Sequence, residues 1–184
     1  MNVKPSLSTL FSLLLLAVLV LTSCVRPSPL QGNKGLTPQH PTADQVTVFF
    51  SKNRGSQIVT EGVVRDIPQQ PTQEPLEFAL TELLQGPNTV ESTQGFFSEI
   101  PKGTRLIGMS HQNNTIQINL SGQFTSGGGS NSMQQRLAEL SKTILAAEKE
   151  KPVYVSIEGQ ELKVLGGEGV MVNEPINKGQ EAIQ

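Results

Sequence analysis

The chain has 184 residues, 36% of them apolar, 16% charged and 4% aromatic, and 14 basic side chains against 16 acidic ones leave a formal charge of −2. That size suits one domain with tails, and the lack of any basic block removes nucleic acid from the expected partners. One cysteine excludes an internal disulfide or a cysteine-rich zinc site, and two histidines (His40, His111) with two aspartates (Asp44, Asp66) leave little material for polar catalysis.

Lys4 precedes a 12-residue apolar run, Leu10 to Leu21, broken only by Ser12. A secretory h-region spans roughly 7–15 residues, whereas a membrane-spanning helix needs about 20. Leu21-Thr22-Ser23-Cys24 comes next, and it resembles the bacterial lipobox. Two small residues before the cut open the backbone to the peptidase, and the thiol is the nucleophile that receives diacylglycerol. The resemblance implies a signal peptide over residues 1–23, cleavage between Ser23 and Cys24, and a lipoprotein anchored through acyl chains of the palmitate kind. More than one chain is needed, because a single one anchors only marginally. The competing reading, an ordinary signal with an incidental cysteine, leaves an unpaired thiol in an exported protein. Lys4 is the one charged residue lost on cleavage, so the remainder stays mildly acidic and gains nothing from anionic lipid. The expected location is extracytoplasmic, at the cell membrane, or at the outer membrane if the organism has one.

Residues 24–44 read as the lipidated Cys24 and a tether, with Pro27, Pro29, Pro38 and Pro41 among polar residues. Such spacers reach about 3 Å per residue. A compact domain is expected over residues 45–172, and a polar, frayed tail over 173–184.

Within that domain, Val46, Val48 and Phe50 alternate with Thr47, Phe49 and Ser51, the period of a half-buried strand. Asn53-Arg54-Gly55 is the expected turn into a second strand over Ile58 to Ile67. Leu76, Ala79, Leu80, Leu83 and Leu84 form an apolar helical stripe, opened by Pro75 and stopped by Gly86-Pro87. An irregular stretch is expected to Lys102-Gly103. Leu106, Ile107 and Met109 then pair with Ile116, Ile118 and Leu120 across an Asn113-Asn114 hairpin. After the break at Gly127-Gly128-Gly129, with Ser130, Asn131 and Ser132 as candidate N-caps, a second helix carries Met133, Leu137, Leu140, Ile144 and Ala147. Val153, Val155 and Ile157, a Glu158-Gly159 turn, then Leu162, Val164 and Leu165 close the domain, with a short strand over Val170 to Val172. The order ββαββαββ predicts an α+β fold: a mostly antiparallel sheet with two helices packed on one face.

Val64-Arg65, Leu83-Leu84-Gln85-Gly86-Pro87, Ile100-Pro101-Lys102-Gly103-Thr104, Ile116 to Leu120 with Phe124, and Val155-Ser156-Ile157-Glu158-Gly159 together resemble the GerMN domain of sporulation and spore-germination proteins. The resemblance spans residues 45 to 172. It implies a membrane-tethered, non-catalytic domain that binds other envelope proteins, in sporulation, germination or a cell-envelope counterpart. It supplies no catalytic residue. Related ring-building domains pack side by side, but some family members carry two domains and this chain has room for one, which leaves self-assembly open.

Other readings compete with this one. His111 with Glu161 or Asp66 could be imagined in a hydrolase, yet no Gly-x-Ser-x-Gly elbow or second partner histidine accompanies it, and His40 lies in the tether, away from any metal site. The expectation is therefore no enzyme, cofactor or metal. The glycine run before the second helix lacks the lysine and spacing of a phosphate loop. Gln117, Asn119 and Ser121 could line a surface for peptidoglycan or another cell-wall glycan, which is the alternative function. Sugar platforms favour exposed Trp or Tyr, and the chain has one Tyr and no Trp.

Overall fold

The computed structural model describes residues 44–69, 72–167 and 169–178. Cys24, residues 1–23 and the tether up to residue 43 lie outside the described residues. Strands β1 (Gln45–Arg54) and β2 (Gln57–Asp66) pair antiparallel over their whole length, from Gln45↔Asp66 to Arg54↔Gln57. The turn is shorter than expected. Asn53 and Arg54 stay in the strand, where Arg54 Nε donates to Glu61 Oε1 at 2.6 Å, and Gly55 turns the chain with φ +64°. Gly62 faces Thr47 and the Phe49 ring so closely that a Cβ there would lie 2.7 Å from Thr47 Cγ2. Its missing side chain lets those residues fold over β2.

Helix α1 (Pro75–Gln85) starts with Pro75, whose missing N–H would be unpaired there in any case. It buries Leu76, Ala79, Leu80 and Leu83. Gly86, at φ +85°, ends it and donates its N–H to the carbonyls of Glu82 and Leu83. The stretch expected to be irregular holds two short elements, α2 (Thr89–Thr93) and β3 (Phe96–Phe97). Asn88 caps α2 through a capping box: Asn88 Oδ1 accepts from Glu91 N–H at 3.0 Å, and Glu91 Oε2 accepts from Asn88 N–H at 2.8 Å. Strand β3 adds to β1, which gives a three-stranded sheet of order β2-β1-β3.

A second sheet has the order β4-β5-β6-β7, built from β4 (Leu106–Gln112), β5 (Thr115–Leu120), β6 (Val153–Ile157) and β7 (Gln160–Glu161). Asn113 and Asn114, at φ +47° and +63°, make the expected tight β4–β5 turn. Glu158 and Gly159, at +49° and +81°, do the same between β6 and β7. A register shift leaves Ile107 as a bulge in β4. Strands β5 and β6 run parallel. Parallel neighbours need a long crossover, here a 3₁₀ turn (Gly122–Thr125) and helix α3 (Ser130–Ala147). A two-stranded ribbon, β8 (Val164–Leu165) with β9 (Val170–Met171), follows. The α+β class holds, with the strands shared among separate sheets and one parallel pair.

Both long helices pack against β1 and against each other. Val48 and Phe50 of β1, Leu80 and Leu83 of α1, Ile118 and Leu120 of β5, Leu140 and Ile144 of α3, and Val153 of β6 are all fully buried in one core. Each such side chain contributes about 1.5–3 kcal/mol on leaving water.

The frayed tail expected from Asn173 is corrected for residues 173–178. Ile176 and Asn177 are each 2% exposed. Ile176 N–H donates to Val153 O, and Asn177 Oδ1 accepts from Val153 N–H at 3.0 Å. Asn177 Nδ2 donates to Glu148 O and Lys151 O, the carbonyls just past α3. Glu174 Oε1 accepts from Val155 N–H at 3.2 Å. This strap therefore covers the edge of β6 with polar groups that the composition suggested were free. The reason is that one asparagine can satisfy a strand edge and a helix end at once.

Candidate functional site

The titratable residues that a hydrolase would need are kept apart. His111 Nε2 lies 2.9 Å from Glu74 Oε2, just ahead of α1, and both side chains are exposed. Asp66 accepts from Gln45 Nε2 at the end of the first hairpin, and Glu161 pairs with Lys163 at 2.8 Å. Among the described residues, no group of three His, Cys, Asp or Glu side chains could hold a metal ion. No described helix is long and apolar enough to cross a membrane.

The motif residues instead fix the path of the chain. Gly103 takes φ +87°, and Thr104 donates both its N–H and its hydroxyl to Pro101 O, at 3.1 and 2.7 Å. Arg65, at the end of β2, reaches two helices. Its Nε donates to Glu82 Oε2 of α1 at 3.1 Å, while Nη1 and Nη2 grip both oxygens of Glu91 on α2. Burial pushes the Glu91 carboxyl up, but the Arg65 hydrogen bond, the Asn88 N–H and the Arg65 charge together hold it below the usual carboxylate range. Glu91, in turn, raises the Arg65 guanidinium.

A second polar cluster lies on α3. Arg136 is 2% exposed and donates to three carbonyls: Glu99 O at 3.0 Å, Phe124 O at 2.6 Å and Gly127 O at 3.1 Å. Glu139, one turn on and 0% exposed, accepts from Ser51 Oγ and Ser98 Oγ, each at 2.6 Å, and from Glu99 N–H at 3.0 Å. Burial raises the Glu139 carboxyl despite these donors, and lowers the Arg136 guanidinium. Ser132 Oγ also donates to Glu99 Oε2, so it is not the N-cap; Gly129 holds that position without a side-chain cap. The residues of α3 at 132, 136 and 139 thus clamp the segment that leads from β3 to β4. Sequence reasoning passed over Arg136 and Glu139, because it counted only the apolar seam; their i, i+3 spacing beside that seam was the available signal.

The proposed polar row is only partly a surface. Ser121 is buried, with its Oγ accepting from Arg105 N–H at 3.0 Å. Asn119 Oδ1 accepts from Gly159 N–H at 2.9 Å and from Ser156 Oγ at 3.2 Å. Gln117 stands across from Tyr154, the single tyrosine.

The profile of the Germane family, described as sporulation and spore germination, matches residues 47–163. The chain belongs to that family. The matched interval holds both the Arg65 cluster and the α3 clamp, and it ends before the β8–β9 ribbon and the strap. The Germane domain is similar in fold to the first GerMN domain of the sporulation protein GerM from Bacillus subtilis, with a TM-score of 0.54 and 18% identity, over 71% of this chain and 94% of that one. It is similar also to the tandem GerMN domains of the same protein, with a TM-score of 0.54 and 16% identity, over 68% of this chain and 42% of that structure. The chain thus spans less than half of the tandem structure. No curated protein matches it.

Proposed function

We propose that this chain is a lipid-anchored, extracytoplasmic envelope protein whose Germane domain is a non-catalytic module for binding other envelope proteins. Its setting is sporulation or germination, or the counterpart in an organism without spores. The observation that carries this reading is the family match over residues 47–163 downstream of Leu21-Thr22-Ser23-Cys24. The use of the motif residues supports it. Gly86, Gly103, Arg65 and Thr104 shape the domain, and the buried Arg136 and Glu139 are taken up by neighbouring segments. That use of the motif residues supports a module that works through its surfaces. Cys24 provides the attachment and the segment behind it the reach.

The test has two parts. Metabolic labelling with an alkyne palmitate analogue should mark the wild-type chain and not Cys24→Ala, which should leave the membrane fraction. Crosslinked pull-down from detergent-solubilised host envelopes, read by mass spectrometry, should return a defined protein partner that Cys24→Ala weakens. Recovery of wall fragments alone, indifferent to the anchor, overturns the protein-binding role.

A further inference from the structure

The outer face of the four-stranded sheet is lined by uncharged polar side chains. Along β5, Ile116, Ile118 and Leu120 point into the core, so Thr115, Gln117 and Asn119 face outward. The same alternation on β6 buries Val153 and Val155 and turns Tyr154 and Ser156 out. Register then sets two rows side by side: Ser110, Gln117 and Tyr154, and next to them Gly108, Asn119 and Ser156. Neither row contains a charged residue. Glu161, at the end of the second, is paired with Lys163.

We infer that this face binds an uncharged glycan, with Tyr154 as the platform, Gln117 and the Asn119 amide as hydrogen-bonding groups, and Gly108 as the open floor beside them. The orientation of Asn119 is not a matter of choice. Gly159 N–H can only donate, so Oδ1 must face it, and the amide's two N–H donors are turned the other way. That donor group is fixed before any ligand arrives, which reduces the ordering cost of binding. A Cβ built on Gly108 would meet nothing within 4 Å, and the bulged Ile107 next to it is 48% exposed. Small apolar ground between amides, hydroxyls and a phenol ring matches a sugar, which has C–H faces and hydroxyl edges. Nucleic acid and anionic lipid would find no counter-charge on these rows. A protein partner would look for a core of large apolar and aromatic side chains, and here Ile107 and Tyr154 stand among small polar ones.

The chain's own optics provide the test. With one tyrosine and no tryptophan, its near-ultraviolet emission reports Tyr154 directly. Titration of the detergent-solubilised full chain with chitohexaose, a neutral aminosugar oligomer, should change that emission saturably, with Kd in the range of about 0.1–1 mM. Gln117→Ala should weaken binding about five-fold by removing one hydrogen bond. Gly108→Glu, a change at an exposed position, should abolish it by filling the floor with a charged side chain, and its circular dichroism should remain that of wild type. No saturable change up to about 10 mM overturns the inference. So does binding that survives Gly108→Glu, or occupation of this face by a protein instead of the sugar. The outcome does not depend on acylation of Cys24, so failure here and failure of the anchored protein-binding module are separate results.

Discussion

Two buried polar clusters hold this domain together, and they do so by different physics. Arg65 meets opposite charges, Glu82 and Glu91, where β2 approaches α1 and α2. Arg136 and Glu139 lie one turn apart on α3, yet each is satisfied by neutral groups from other segments, carbonyls for the cation and hydroxyls with an N–H for the anion. The first arrangement sets one guanidinium directly against two carboxylates, so its support is charge on charge. The second spreads each charge over the dipoles of a different piece of chain. It therefore ties more of the sequence together, and it is the more damaging to cut.

The sharpest way to break the comparison is Arg136→Leu. It leaves three carbonyls without their donor, and a loss of about 4 kcal/mol in urea unfolding is expected. Glu91→Gln should cost less, about 2 kcal/mol, since Arg65 retains Glu82 and the Asn88 cap survives in part. A stability difference equal to or larger than that of Arg136→Leu would reverse the ranking of the two clusters.

The two carboxylates should also carry opposite pH signatures. Glu91 is held below its unfolded value of about 4.3, so its contribution is present above that value and lost as pH falls through the folded one. Glu139 is raised by burial, so its contribution is complete below the unfolded value and declines as pH rises through the folded one. Urea midpoints measured across acid to neutral pH should show Glu91→Gln flattening the acid limb and Glu139→Gln flattening the decline above it. Matching profiles for the two variants would mean that the neutral donors around Glu139 act as a charge partner does.

Asn177→Ala should cost about 1–2 kcal/mol, through one unpaired strand N–H and two helix-end carbonyls that regain water as the strap loosens. Hydrogen exchange at Val153 checks it, and an unchanged rate would show that the strap adds nothing to the edge. His111→Ala should be the smallest effect, with no measurable change in midpoint, because the Glu74 contact is exposed on both sides.

Much of the fold was legible because it follows from repeating patterns. The stripe from Leu76 to Leu84 and the alternations around Val48 and Ile118 each repeat often enough to be read, and the turns at Asn113-Asn114 and Glu158-Gly159 have few other uses. Helix α2 was passed over although Asn88 and Glu91 spell its capping box, since five residues are too few for periodicity. The parallel pairing of β5 and β6 depends on where α3 delivers the chain, which no local pattern records. Of the surface, Gln117 and Asn119 were legible as outward positions. That Tyr154 stands beside Gln117, and that Ser121 turns inward, are matters of register between strands distant in sequence.

That parallel pair also orders the assembly of the domain in time. The β1–β2 and β4–β5 hairpins join neighbours and can close by themselves. Strand β6 cannot reach β5 until the 3₁₀ turn and all of α3 have crossed over, and residues 173–178 can settle only on a β6 already in place. Loop-closure entropy over such separations slows folding. The hydrophobic face of β5 therefore waits for its last neighbour until the whole crossover has been laid down.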